Sequence, residues 1–195
     1  MNLPNKLTIM RFVLVPVFMI FALMPESVMP DITSRCIAAV LFGVTALTDM
    51  FDGKIARKYN LVTNFGKFMD PLADKFMIFG ALLSIVAKYD ELRGVMVWVA
   101  ITVMLRELAV TSIRLIAAGT SSVVISASML GKIKTTVQCI AIEITFLEPV
   151  IFGKIDFFAK YRPLTWFSMI LLLFFTLYSG IDYIVKYKDF LKDAK

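Results

Sequence analysis

Four aspartates stand in a short stretch of an otherwise lipid-like chain, and they restrict what it can fold into. Asp49, Asp52, Asp70 and Asp74 fall in D-M-F-D-G-K-I-A-R and, eight residues later, in G-K-F-M-D-P-L-A-D. Acids in apolar segments are costly, and they persist mainly where they bind an ion, line a wet cavity or move protons. On a helix, Asp49 and Asp52 (three apart) share a face, as do Asp70 and Asp74 (four apart). Two neighbouring helices would then aim two carboxylates each at one point. The pattern predicts a hard-cation site inside a helical bundle.

The remaining sequence requires that bundle to lie in lipid. Hydrophobic residues make up 59% of the 195 positions and charged residues 18%, against about 45–50% and about 25% in soluble domains. Lipid leaves no water to satisfy exposed backbone, so helices are expected throughout. Six apolar segments lie near 12–25, 34–53, 72–88, 94–117, 130–152 and 163–185. We therefore expect an all-α integral membrane protein, residues 1–195 forming one domain of six transmembrane helices around a polar cavity. Only 163–181 meets the usual length of about 20 uncharged residues unaided. The other segments carry charge toward one end, as expected of helices that run past the lipid into a wetted cavity. Lys6 and Arg11 precede the uncharged run 12–25 without a small-x-small cleavage site, which predicts an uncleaved first helix.

Loop charges predict the orientation. With the N-terminus inside, 15 of the 21 lysines and arginines fall on the inner side, including Lys54, Lys58, Lys67, Lys75 and the tail lysines Lys186, Lys188, Lys192 and Lys195. Arg35, Lys88, Arg93, Lys154, Lys160 and Arg162 remain outside. Both termini and the acidic stretch are then expected in the cytoplasm. Turns are expected at Pro25 to Pro30, at 58–66 and at 118–122.

The chain contains no histidine, which removes the commonest general base and metal ligand. Cys36 and Cys139 lack metal-like spacing and are expected to be inert. Carboxylates alone suit Mg²⁺, Mn²⁺ or Ca²⁺. Gly53 and Ala56 lie on the stripe of Asp49 and Asp52, clearing room for a flat group such as a nucleobase against the backbone. Arg57, one turn beyond Gly53, is placed to reach a phosphate. On the following helix Gly66, Asp70 and Asp74 stack at four-residue intervals. Arg106, Arg114, Lys132 and Lys134 read either as phosphate ligands or as contacts to anionic lipid. Thr8 and Arg11 are placed to meet the cavity, and Asn5 reads either as part of it or as a helix cap. Glu143, deep in an apolar segment, is expected to make an interhelical contact.

The pattern D-x2-D-G-x2-A-R-x8-G-x3-D-x3-D resembles the signature of the CDP-alcohol phosphotransferase family, with all eight positions matched. The opening N-L-P-N-K-L-T-I-M-R, the stretch L-R-E-L-A-V-T-S-I-R (105–114) and G-K-I-K-T-T-V-Q (131–138) resemble the bacterial branch whose acceptor is glycerol 3-phosphate. The resemblance implies a six-helix, homodimeric enzyme of the bacterial plasma membrane that uses Mg²⁺ or Mn²⁺. It would move the phosphatidyl group of CDP-diacylglycerol to glycerol 3-phosphate and release CMP. It implies Asp49, Asp52 and Asp70 as metal ligands and Asp74 as ligand or catalytic base. Gly53, Ala56, Arg57 and Gly66, with Thr8, Arg11 and the acids, would line the CDP site. Arg106, Arg114, Lys132 and Lys134 would hold the acceptor phosphate. Rival readings are another acceptor, such as inositol phosphate or phosphatidylglycerol, a membrane scaffold, or a cation transporter built on the buried acids. The transporter leaves Gly53, Ala56 and the basic cluster unexplained.

Overall fold

The computed structural model describes the backbone of residues 3–58, 64–120 and 129–192, and the side chains of 5–49, 66, 68–114 and 129–187. Among these residues all regular structure is helical. The helices are α1 (Leu3–Ala22), α2 (Asp31–Lys58), α3 (Asn64–Lys88), α4 (Asp90–Thr120), α5 (Met129–Phe152), α6 (Asp156–Tyr161) and α7 (Pro163–Lys192). Five of them (α1, α2, α4, α5 and α7) are long and apolar enough to cross a membrane. α3 has the length, but Asp70, Asp74, Lys75 and Lys88 load it with charge.

The helices close into a ring: α1 packs on α2, α2 on α5, α5 on α7, α7 on α4, α4 on α3, and α3 back on α1. Each lends one stripe to a shared core. Val15 and Phe18 of α1 meet Ala39 and Phe42 of α2, Ala81 and Ile85 of α3, and Phe146 of α5. The Phe18 ring lies 5.7 Å from Phe42 and meets Phe146 edge-on at 5.8 Å, a favoured aromatic arrangement. The opposite faces stay apolar and exposed: Val13 and Ile20 on α1, Trp98 and Leu105 on α4, Phe167, Ile170 and Phe174 on α7. An apolar exterior of that extent belongs in lipid rather than water, so this is a multi-pass membrane protein.

A polar lock holds one end of the ring. Tyr89, 2% exposed, lies between the guanidinium groups of Arg35 (4.3 Å from its ring centre) and Arg162 (4.7 Å). Burial pushes the Tyr89 hydroxyl up to about 12, so it stays neutral between the two cations. Arg162 reaches Glu91 at 3.1 Å, and the Glu148 carboxylate accepts from the backbone N–H of Leu164 and Thr165 at 2.9 and 2.7 Å. Glu148 thereby caps the start of α7, where unpaired N–H groups favour an anion. Arg162 takes the left-handed conformation (φ 45°) at the corner between α6 and α7.

The helices overrun the apolar segments read from sequence. α1 starts at Leu3 and α4 continues through Thr120, so the first part of the turn expected at 118–122 is helix; residues 121–128 lie outside the described residues, as do 59–63 of the turn expected at 58–66. The break at Pro25 to Pro30 is observed between α1 and α2. Asn5 lies inside α1 and is buried, so it is not the helix cap. α6 is an addition that sequence periodicity did not foresee.

Candidate functional site

At the end of the ring remote from Tyr89, α1, α2 and α3 bring the acids together. Thr8 and Arg11 sit three apart on α1, so one helix face presents both to the interior. Both are fully buried, at 1% and 0% exposure. Arg11 Nη1 donates to Asp74 Oδ1 at 2.6 Å and pairs with Asp49 Oδ1 at 2.9 Å. Thr8 Oγ1 donates to Asp70 Oδ1 at 2.5 Å. One guanidinium nitrogen therefore ties an acid of α2 to an acid of α3. Asp70 and Asp74, one turn apart, line the same cleft.

Arg11 and Thr8 thus gather the three acids whose side chains are described at one end of the ring, through contacts to α1. The side chains of Asp52, Ala56 and Arg57, and the surroundings of Gly53, lie outside the described residues; their backbone continues α2. Gly66 is buried in the first turn of α3. Among the described residues no three acids stand close enough to hold a metal between them. The donor set is nonetheless all-oxygen, and Asp49 and Asp74 already share one buried cation, the Arg11 guanidinium. Those residues fit a hard divalent ion.

Beside the acids, α4 and α5 complete a cleft of about 320 Å³ whose walls include Asp70, Asp74, Arg106, Arg114, Lys132 and Lys134. The cleft thus gathers all four basic residues singled out from sequence. Lys134 is 1% exposed, and its ammonium donates to Glu107 Oε1 and Gln138 Oε1. Arg106 Nη1 donates to the same Glu107 oxygen at 3.0 Å. Arg114 Nε donates to the Tyr183 hydroxyl at 2.8 Å, with its guanidinium 5.1 Å from the Tyr183 ring centre. Lys132 is exposed at the rim.

Two buried donors that belong to cleft residues, Arg106 Nε and Gln138 Nε2, have no acceptor among the described residues. Such groups are rare in native interiors and call for an explanation, commonly a missing ligand or water.

Glu107, Gln138 and Tyr183 were not among the residues expected from sequence. For Glu107 a signal existed, since it is an acid within an apolar helix. Gln138 stands one helical turn from Lys134, which pairs them once Lys134 is known to point inward. Tyr183 has no local signal. Glu143 does make the interhelical contact expected of it: its carboxyl occupies the space left by Gly43 on α2, where a Cβ would meet Glu143 Oε1 at 2.8 Å.

Known proteins resemble this chain over most of its length. The family model for CDP-alcohol phosphatidyltransferase matches residues 1–178. The chain is 41% identical over 202 residues to a CDP-diacylglycerol–glycerol-3-phosphate 3-phosphatidyltransferase of Bacillus subtilis, covering 99% of this chain and 98% of the relative. It is 36% identical over 185 residues (95% and 81%) to a probable phosphatidylglycerophosphate synthase of Mycobacterium tuberculosis. A 3-phosphatidyltransferase of the first kind from Salmonella typhimurium is 33% identical over 177 residues (87% and 91%). This chain is a member of the CDP-alcohol phosphatidyltransferase family.

Proposed function

We propose that the protein transfers the phosphatidyl group of CDP-diacylglycerol to glycerol 3-phosphate, giving phosphatidylglycerophosphate and CMP. The observation that carries the acceptor assignment is the basic cleft beside the acids. Buried Lys134 and part-buried Arg106 and Arg114 share it with Asp70 and Asp74, and Arg106 Nε and Gln138 Nε2 lack acceptors among the described residues. Phosphate oxygens satisfy both unmet donors and the cations at once. An uncharged acceptor such as inositol brings no anionic oxygens to those two donors, and serine brings its carboxylate together with an ammonium that the basic wall repels.

Asp49, Asp52, Asp70 and Asp74 would hold a divalent ion, Mg²⁺ or Mn²⁺, which neutralises charge on the diphosphate and on the departing CMP. The acceptor hydroxyl attacks the phosphorus that carries the diacylglycerol. The new O–P bond replaces the bond to CMP, and the hydroxyl proton passes to a carboxylate oxygen of Asp74. Arg106, Arg114, Lys132 and Lys134 hold the acceptor phosphate in line, chiefly a positioning contribution. Thr8 and Arg11 set the orientation of Asp70 and of the Asp49–Asp74 pair, beside the expected CDP site with Gly53, Ala56, Arg57 and Gly66. In this reading α3 supplies the sixth span, and the acidic end with both chain termini faces the cytoplasm, as the loop charges favour.

The test is CMP release by purified protein from CDP-diacylglycerol with a panel of alcohols, with and without chelator. Glycerol 3-phosphate should support turnover well above serine, inositol phosphate or phosphatidylglycerol, and chelator should stop it. Turnover of serine at equal efficiency would refute the acceptor assignment.

A further inference from the structure

We propose that Glu107 is an internal stand-in for the acceptor's phosphate, a residue that sets the affinity of the phosphate subsite and whose carboxylate holds Lys134 and Arg106 until that phosphate displaces it. The inference rests on the acceptor reading above. It starts from Lys134, a charge 1% exposed in the wall of the cleft. A buried ammonium without a counter-charge is strongly disfavoured, and the counter-charge here comes from the protein. Glu107 Oε1 accepts from Lys134 Nζ and from Arg106 Nη1 together, bridging two cations as a phosphate oxygen would.

A permanent ion pair would need nothing more. Around this pair, however, the donors outnumber the acceptors. Arg106 Nε and Gln138 Nε2 are buried without partners among the described residues, and the cleft between α3, α4 and α5 has room for a phosphate-sized group. One carboxylate oxygen thus serves two cations in a pocket wired for more oxygens than it supplies. A tetrahedral anion satisfies the unmet donors and takes over Lys134. Glu107 then remains as a like charge beside it, so binding is weaker than four cations alone would make it. That penalty falls on every phosphate alike, and inorganic phosphate has no further contacts with which to offset it.

The test is Glu107→Gln, which keeps shape and hydrogen bonding and removes the charge. The readouts are inhibition of CMP release by inorganic phosphate and the KM values for acceptor and CDP-lipid. The phosphate Ki and the acceptor KM should both fall by roughly three- to tenfold, the scale of removing one partly screened like charge, with the CDP-lipid KM unchanged. A Ki and acceptor KM that rise or stay put would show Glu107 to be a strut for Lys134 and overturn the proposal. So would phosphate competing with CDP-lipid rather than with acceptor. Gln138→Leu removes Lys134's neutral support without removing its competitor, so it should raise the Ki; a fall in that variant also counts against the proposal. Should Glu107→Gln not elute as folded protein, Glu107→Asp, which retracts the carboxylate, should lower the Ki in the same direction. Absence of CMP release with glycerol 3-phosphate in the wild type would instead sink the acceptor reading, while phosphate inhibition can still be read with whichever acceptor is turned over.

Discussion

Replacing Arg11 with methionine tests the logic of the acidic end most directly. The side chain is 0% exposed and its Nη1 lies 2.6 Å from Asp74 and 2.9 Å from Asp49. Methionine keeps the apolar stem and removes the charge, so Asp49 and Asp74 lose the cation that bridges them. Breaking a fully buried pair costs about 3–5 kcal/mol. Asp49 and Asp74 are 33% and 46% exposed, so water screens part of that, and about 2–3 kcal/mol is the reasonable scale. For a chain of this length, 1 kcal/mol moves an unfolding midpoint by about 2–4 °C, which predicts a drop of roughly 4–12 °C in chelator. The informative part is the recovery. A divalent ion binding between the acids supplies the charge that Arg11 supplied, so Mg²⁺ or Mn²⁺ should raise the variant's midpoint more than the wild type's. The assay is thermal unfolding of detergent-purified protein across a metal titration. A variant as stable as wild type in chelator, or one gaining no more from metal, would refute the idea that guanidinium and metal answer the same need.

Four further outcomes follow from the geometry. Asp74→Asn should abolish CMP release while CDP-lipid binding persists; near-full turnover with metal present would remove Asp74 as base. Tyr183→Phe deletes the acceptor for Arg114 Nε, a hydrogen bond to a charged group worth about 1.5–3 kcal/mol, so the acceptor KM should rise by at least tenfold with the CDP-lipid KM little changed in steady-state kinetics. Phe18→Ala opens the centre of the core and should cost about 3–5 kcal/mol, seen as a lower midpoint with unchanged KM values. Tyr89→Phe removes a buried hydroxyl that has no hydrogen-bond partner among the described residues, so stability near pH 8 should scarcely move. In the wild type the folded-state value near 12 lies above the ordinary 10; folding therefore retains a proton that the unfolded chain gives up, and stability falls as pH climbs from 10 toward 12. The phenylalanine variant should lose less over that window.

What sequence made legible was chemistry at fixed helical spacing. Asp70 and Asp74 share a face because four residues make about one turn, and no tertiary information is needed to say so. Thr8 and Arg11 followed for the same reason. Pairings between helices were not legible. Glu107 meets Lys134 because α4 and α5 face one cleft, and Arg114 meets Tyr183 because α4 packs on α7. The ring order that sets these neighbours depends on which stripes interdigitate, and hydropathy is nearly uniform around helices in lipid. Helix ends were misjudged for a related reason: the polar end of α1 meets the acids and that of α4 walls the cleft, so the apolar pattern stops before the helix does.

The two halves of the site follow one construction. On the acidic side a buried arginine from α1 neutralises carboxylates of α2 and α3; on the basic side an acid from α4 neutralises a buried lysine of α5. Neither charge set could stay folded in a membrane interior uncompensated, because an isolated ion there costs several kcal/mol. Each half is therefore compensated without ligand, and in the proposed reading an incoming ion would have to displace an existing partner, at the expense of affinity. Exchange of partners costs far less than desolvating a free charge. It also makes occupancy depend on a ligand that brings both the right charge and enough oxygens, which a lone cation or lone phosphate does only in part. Asp49, Asp74 and Glu107 are part-exposed while Arg11 and Lys134 are fully buried, so in the proposed reading the acids are the members that change partners and the buried cations are the fixed frame.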